Sequence, residues 1–449
     1  MSKVRLGGLF LLLLCGSLSV IWGASLQRTA ASGKLDFKLV YFATRCLLHH
    51  CDPYNAIDLE RVYQVEEKDR SSDPTIRRVE TNIIYLPTIF SVSAPFAILP
   101  WPLANLLWMI LTIGSFFLAA SLIWIFGAKY APELALFLIC FVVGNSQIIF
   151  QTENAAGLAV SLCVIAVWCF VQERFVIAGV LCLAVSLAIK PHDGGLVWLL
   201  FLLAGAPYRK RALQTLVVAA ILSLPAILWT TSVSPHWVQE LHSNLVTTAA
   251  RGDMNDPGPN SVTGRTPNMI ISLQTVFSVV KDEPRFYNLA TYLVCGPLLL
   301  AWAIKAARLR STPAGIWLAL AVIVPLTMLV TYHRPYDAKL LLLTIPACAM
   351  LSMEGGPIAR WASILSTAAV VFTADIPLGI VVVVAQKLHL NATGFTGKTL
   401  TLLLDRPAPL VLLAMAAFYL WVYLRRAPDP PAMLGPHGGV QATGILAPS

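Results

Sequence analysis

The chain has 449 residues, of which 57% are hydrophobic and 12% charged, with a formal net charge of +9. A soluble domain carries roughly twice that charged fraction, and here the apolar residues fall in runs of about 20, the length that crosses a bilayer. Together with a mean hydropathy of +0.72, these features exclude a soluble globular protein. They predict an all-α, polytopic membrane helix bundle. The basic excess belongs to short loops that orient such a bundle, not to a nucleic-acid partner.

Lys3 and Arg5 precede the apolar run Leu6 to Leu26. The run is too long for a signal peptide and lacks an A-x-A site, so it reads as a first span with its N-terminus in the cytoplasm. Residues 27–82 form a first large external loop with nine basic and nine acidic residues; long loops cross regardless of charge. Near its start, Leu35 to Ala43 opens an amphipathic helix, with Leu39, Ala43, Cys46 and Leu47 on one stripe. Asp36 lies in the first turn. It reads either as an N-cap, accepting free backbone N–H groups, or as a general base held at the membrane surface. Cys46 and Cys51 are placed to pair with each other or, with His49, His50 and Asp52, to hold a metal, although the spacing matches no zinc pattern. The other seven cysteines lie in apolar runs and read as small apolar residues.

Further runs cover 102–127, 131–150, 155–172, 175–190, 192–206, 212–231, 287–304, 313–331, 336–353, 360–385 and 407–424. Ile83 to Leu99 is apolar but broken by Pro87 and Pro95, with Pro100 just beyond. If it does not cross, then Lys129, Arg174, Arg209-Lys210-Arg211, Lys305-Arg308-Arg310, Arg360 and Arg425-Arg426 all fall inside. The positive-inside rule therefore predicts a re-entrant or surface-lying segment and about 12 spans, with both termini cytoplasmic. Residues 232–286 become a second large external loop. Residues 1–426 form one membrane domain, and the Pro/Gly-rich tail 427–449 is a disordered cytoplasmic extension.

This topology gathers polar groups on the outer face: Asp36, the turn Gln151-Thr152-Glu153-Asn154, the tetrad Lys190-Pro191-His192-Asp193, and the turn Tyr332-His333-Arg334-Pro335-Tyr336-Asp337. Snorkelling accounts for Lys190 alone, but three polar groups interrupting two apolar runs suggest a site. His333 and Arg334 are adjacent donors suited to phosphate, or an ordinary polar cap at a helix C-terminus. Gln151 and Asn154 also suit a helix cap. Walker A, G-x-G-x-x-G and H-E-x-x-H sequences are absent.

The order of these pieces resembles glycosyltransferase family 87. They are Asp36-Phe37-x-x-x-Tyr41, Asp52-Pro53-Tyr54, Tyr85-Leu86-Pro87 leading to Pro95-Phe96-Ala97-Ile98-Leu99-Pro100 and Trp108, Gln151 with Asn154, Ala178-Gly179-Val180 running to Ala188-Ile189-Lys190-Pro191, and the His333 turn. The chain departs from the family's Gly-Gln-x-Asn, since Phe150 precedes Gln151, and His192-Asp193 stand where an amide is common. The resemblance implies a GT-C fold and an inverting transfer of a sugar, mannose most commonly, from a polyprenyl-phosphate donor to a lipid or glycan acceptor outside the cell membrane. It implies Asp36 as the base. The substrate contacts expected with it are Lys190, His192, His333, Arg334, Gln151, Asn154 and Tyr336, with no metal and no cofactor. A transporter or lipid flippase is the competing reading, although no internal repeat is evident. A ligase of lipid-linked glycans is a third, but residues 232–286 supply only Arg251, Arg265, His236 and His242 for it.

Overall fold

Lipid offers no partners to backbone N–H and C=O groups, so apolar runs of this length fold as helices. The computed structural model describes residues 3–29, 33–66, 74–259, 270–308, 312–388 and 394–426. It is 83% helix, with no strand among the described residues. The tail 427–449, Arg265 and Arg310 lie outside the described residues.

The first half of the chain builds α1 (Lys3–Thr29), α2 (Leu35–Leu48), α3 (Ala56–Glu66), α4 (Pro74–Thr81), α5 (Thr88–Ala97), α6 (Trp101–Gly127), α7 (Pro132–Gly144), α8 (Gln147–Thr152), α9 (Ala155–Val171), α10 (Val176–Ile189) and α11 (Pro191–Leu203). The second half adds α12 (Ala206–Val233), α13 (Trp237–Thr248), α14 (Gln274–Val280), α15 (Pro284–Arg308), α16 (Pro313–Val330), a 3-10 segment (Asp337–Thr344), α17 (Ile345–Glu354), α18 (Gly356–Phe372), α19 (Asp375–Leu388), α20 (Gly394–Asp405) and α21 (Pro407–Arg425).

Among the described residues, seven helices are long and apolar enough to cross a membrane, or eight if α18 and the start of α19, bent by 70°, count as one span. The sequence count of about 12 treats every apolar run as a span. Runs 155–172, 175–190 and 192–206 fold as α9, α10 and α11, short helices of 13–17 residues, about 20–25 Å, that run between the two ends of the bundle but are not among the seven. Run 336–353 divides into the 3-10 segment and α17. Ile83 to Leu99 yields only α5, 10 residues or about 15 Å, which is too short to cross. It packs against α2, α10 and α12.

Helix directions sort the chain ends and turns into two groups. The start of α1 meets the end of α6 where Trp124 Nε1 donates to the Arg5 carbonyl, and the end of α1 meets the α8–α9 turn where Gln27 Nε2 donates to the Phe150 carbonyl and to Glu153. α9 descends from Asn154, and near its far end Phe170 accepts from Arg211. α10 returns to Lys190, and α11 descends again to Leu202, whose carbonyl accepts from Arg209. Lys305 donates to the carbonyls of Leu424 and Arg426, and Arg426 pairs with Glu354. The basic loops thus cluster at one end, and Asp36, Asn154, Lys190 and Arg334 at the other.

α16 is buried around its whole circumference from Ile316 to Leu329, as expected of a helix apolar on every face. Breaks within the apolar region are satisfied by protein: the Ile148 N–H donates to Asp375 Oδ2 at 2.8 Å, while Lys339 Nζ reaches the Asn145 carbonyl at 2.6 Å and Asp375 Oδ1 at 3.1 Å. A second core joins α2, α3, α5 and the start of α6 through Phe37, Phe42, Tyr63, Phe90 and Trp108. In the second large loop, Leu241 is buried in this second core and Trp237 lies 6.0 Å from the Tyr54 ring. Val238, Leu245 and Val246 stay exposed, while Asn244 Nδ2 fastens α13 to the carbonyls of Tyr54 and Ile83.

The two ends make a direct prediction. In a variant with its native thiols replaced, cysteines introduced as His242→Cys and Lys210→Cys should react with an impermeant reagent from opposite sides of the membrane. Labelling of both in intact cells would contradict this arrangement of helices.

Candidate active site

α2 begins at Leu35, and its cap position is Lys34, a left-handed residue with φ of 62°. Asp36 therefore lies one step inside the first turn, and no side chain caps this helix. Its Oδ2 instead accepts from Asn154 Nδ2 at 2.8 Å. Asn154 is itself the cap of α9, its Oδ1 accepting from Ala156 N at 2.8 Å, so one amide both starts a helix and orients the carboxylate. The neighbouring Phe37 fixes α2. Its ring stacks on Trp108 at 4.3 Å and 7°, while the Trp108 indole donates to the Glu153 carbonyl at 3.3 Å. A single tryptophan thus positions both partners of the Asp36–Asn154 bond.

Lys190 stands at the break between α10 and α11 and is buried. Its Nζ donates to Asp337 Oδ1, lies 3.8 Å from Asp193 Oδ2, and sits 4.9 Å from the Tyr336 ring centroid. The other Asp337 oxygen accepts from the Arg334 backbone N at 2.8 Å, which closes the turn 334–337. Arg334 donates through Nε to the Tyr332 hydroxyl, and through Nη2 to the Met254 carbonyl at 3.2 Å and Asn255 Oδ1 at 3.3 Å. The second large loop is thereby tied to the turn.

These groups line one cavity of about 660 Å³, bounded by Asp36, Tyr85, Asn154, Lys190, His192, Tyr332, Arg334 and Tyr336 and closed on one side by residues from Leu245 to Asn255. Burial pushes the phenols of Tyr85 and Tyr336 well up and that of Tyr332 up, with the Asp36 carboxylate adding to the effect at Tyr85, so all three are neutral hydroxyls. A carboxylate faces an ammonium and a guanidinium across a space suited to a small polar ligand. That arrangement can take a proton on one wall and hold an anion on another.

Of the sequence candidates, Asp36, Asn154, Lys190, His192, Arg334 and Tyr336 line this cavity, whereas Gln151 and His333 do not. Gln151 lends its carbonyl to the Lys34 N–H at 2.8 Å. His333 lies behind the wall, 1% exposed, with Nδ1 3.1 Å from the Thr331 carbonyl and Nε2 3.3 Å from Asp193 Oδ1. His333 turns to Asp193 while Arg334 turns to Tyr332, Met254 and Asn255, so the two adjacent donors part company. His192, Asp193 and His333 place one ligand atom each within 4.8 Å of one another, the one group among the described residues with metal-ligand geometry. Cys46 and Cys51 form a disulfide, which removes them as metal ligands. Sequence reasoning gave no role to Asp337, Asp193, Tyr85 or Tyr332. The signal for Asp337 was present: a lysine between two apolar runs demands a carboxylate, and this turn carries one.

Removing that partner leaves a buried ammonium. Asp337→Ala should lower stability by about 3–5 kcal/mol, and pairing Lys190→Met with Asp337→Leu should restore most of it. Thermal unfolding of purified protein in detergent measures both; equal losses in the single and double variants would exclude the pairing.

Among protein families, the model of glycosyltransferase family 87 matches residues 84–331. That stretch contains Gln151, Asn154, Lys190 and His192, but neither Asp36 nor the turn from His333 to Asp337. No curated protein matches the chain, and no solved structure does. The family match covers more than half of the chain, and with the apolar helices it makes this protein a multi-pass membrane protein that belongs to glycosyltransferase family 87.

Proposed function

We propose that this membrane glycosyltransferase moves a hexose, mannose by its resemblance, from a polyprenyl-phosphate donor to a lipid or glycan acceptor, with inversion. Residues 1–426 then form one GT-C-type membrane domain in the cell membrane. The observation that carries this reading is the shared cavity, with Asp36 on one wall and Lys190, His192 and Arg334 on the others. Its volume of about 660 Å³ suits a sugar ring and a phosphate, and leaves the prenyl tail to lie against apolar helices.

In this mechanism an acceptor hydroxyl attacks the anomeric carbon and Asp36 takes its proton, with Asn154 orienting the carboxylate. The bond from that carbon to the phosphate oxygen breaks, and its electron pair leaves with the lipid phosphate. A phosphate leaving group needs charge stabilisation and no general acid; Lys190 and Arg334 supply it as preorganised cations. The neutral phenols of Tyr85, Tyr332 and Tyr336 are placed to bond sugar hydroxyls. The clustering of Arg5, Arg209, Lys210, Lys305 and Arg426 at the opposite end supports an extracytoplasmic site, since basic loops stay inside. Nothing in the fold or the family supports a transporter or flippase.

The test is transfer by protein in liposomes, without any gradient, from polyprenyl-phosphate mannose to extracted membrane lipids. Asp36→Asn should lower kcat by about a hundredfold or more. Arg334→Gln should raise the donor KM about tenfold, the loss of one charge-assisted hydrogen bond. Full turnover by the Asp36→Asn protein would remove Asp36 as the base.

A further inference from the structure

We infer that His192, Asp193 and His333 form a binding site for one divalent transition-metal ion in the wall of the cavity. The Thr331 carbonyl can only accept, so His333 Nδ1, 3.1 Å away, carries the proton. A neutral ring then has its lone pair on Nε2, which faces Asp193 Oδ1 at 3.3 Å. Two lone pairs meeting across that distance repel unless a proton or a metal ion stands between them. Neither carboxylate oxygen of Asp193 nor His333 Nε2 has a hydrogen-bond partner among the described residues, and both residues are only 1% exposed.

The third donor completes a metal geometry. His192 Nε2 lies 3.7 Å from Asp193 Oδ1. With bonds of about 2.0–2.2 Å at tetrahedral angles, donor atoms stand roughly 3.3–3.6 Å apart; the His333–Asp193 separation matches, the His192–Asp193 separation is slightly longer, and all three ligand atoms lie within 4.8 Å of one another. Two imidazoles and one carboxylate with an open fourth position is a donor set of catalytic zinc sites, and His192 borders the cavity. Metal-bound histidines commonly give their other N–H to a backbone carbonyl, as His333 does. The charges agree as well. Lys190, 3.8 Å from Asp193 Oδ2, gives its hydrogen bond to Asp337. One ammonium therefore faces two buried carboxylates. The proposal deepens the transferase reading, because the ion would adjoin the donor phosphate, but ion binding can be measured without it.

The experiment uses full-length protein in detergent, stripped with a chelator and titrated with Zn²⁺ alone by calorimetry, with metal content checked after desalting. About one ion per chain is expected, and Co²⁺ in its place should give a visible tetrahedral spectrum. His192→Ala, on the cavity side and outside the core, should weaken binding at least tenfold while leaving thermal unfolding of the stripped protein unchanged; Asp193→Asn should do the same to binding. Absence of stoichiometric Zn²⁺, or affinity unchanged by His192→Ala, overturns the site and leaves a doubly protonated His333 paired with Asp193. Transfer assayed on the stripped protein separates the two claims: transfer without Zn²⁺ binding removes only the metal.

Discussion

An ammonium group buried among apolar helices has to find a carboxylate, and Lys190 finds Asp337, 147 residues later in the chain. The break between α10 and α11 is thereby fastened to the segment that follows α16. Because Asp337 also holds the Arg334 backbone N–H, the same carboxylate shapes the turn that presents Arg334 and Tyr336 to the cavity. Burying such a pair gives little net stability, while breaking it is costly. Its effect here is to fix geometry: one turn, one lysine and one cavity wall in a single arrangement.

The opposite wall depends on packing rather than charge. Trp108 stacks on Phe37 and donates to the Glu153 carbonyl, so the first turn of α2 and the start of α9 are held at one distance. The Asn154–Asp36 bond follows from that placement. Tyr41 adds a hydroxyl bond to the Leu99 carbonyl at 2.8 Å, which locks α2 against the α5–α6 corner. In this glycosyltransferase the carboxylate wall is set by an aromatic cluster and the cationic wall by an ion pair, and the two meet only in the tertiary structure.

The family match, over residues 84–331, encloses the lysine and the asparagine but leaves out Asp36 and Arg334. The segments that complete the cavity flank the matched region on both sides. Apolar helices of 13–17 residues in α9, α10 and α11 bring their ends to the cavity. Helices that end there expose backbone and side chains to it, and irregular backbone at membrane depth is tolerated where it is buried in protein or lines a cavity.

The sequence by itself determined what local physics controls. Runs of apolar residues fixed an all-helical membrane protein. The basic loops marked Ile83 to Leu99, which carries α5, as a re-entrant or surface-lying segment. The basic loops marked one end of the bundle, and polar groups interrupting apolar runs marked Asp36, Asn154, Lys190 and Arg334, all of which line one cavity. Composition could not tell short helices from spanning ones, because an apolar run has the same periodicity whether lipid or protein surrounds it. Nor could it separate His333 from Arg334: adjacent in sequence, they face opposite sides of the wall, and that choice was made by Asp193 on one side and by Tyr332, Met254 and Asn255 on the other. Leu241 turned inward for the same reason, since Asn244 docks α13 on carbonyls some 160 to 190 residues away. Local pattern sets what each segment is; partners brought from far along the chain decide which way its side chains point, and only the tertiary structure holds them.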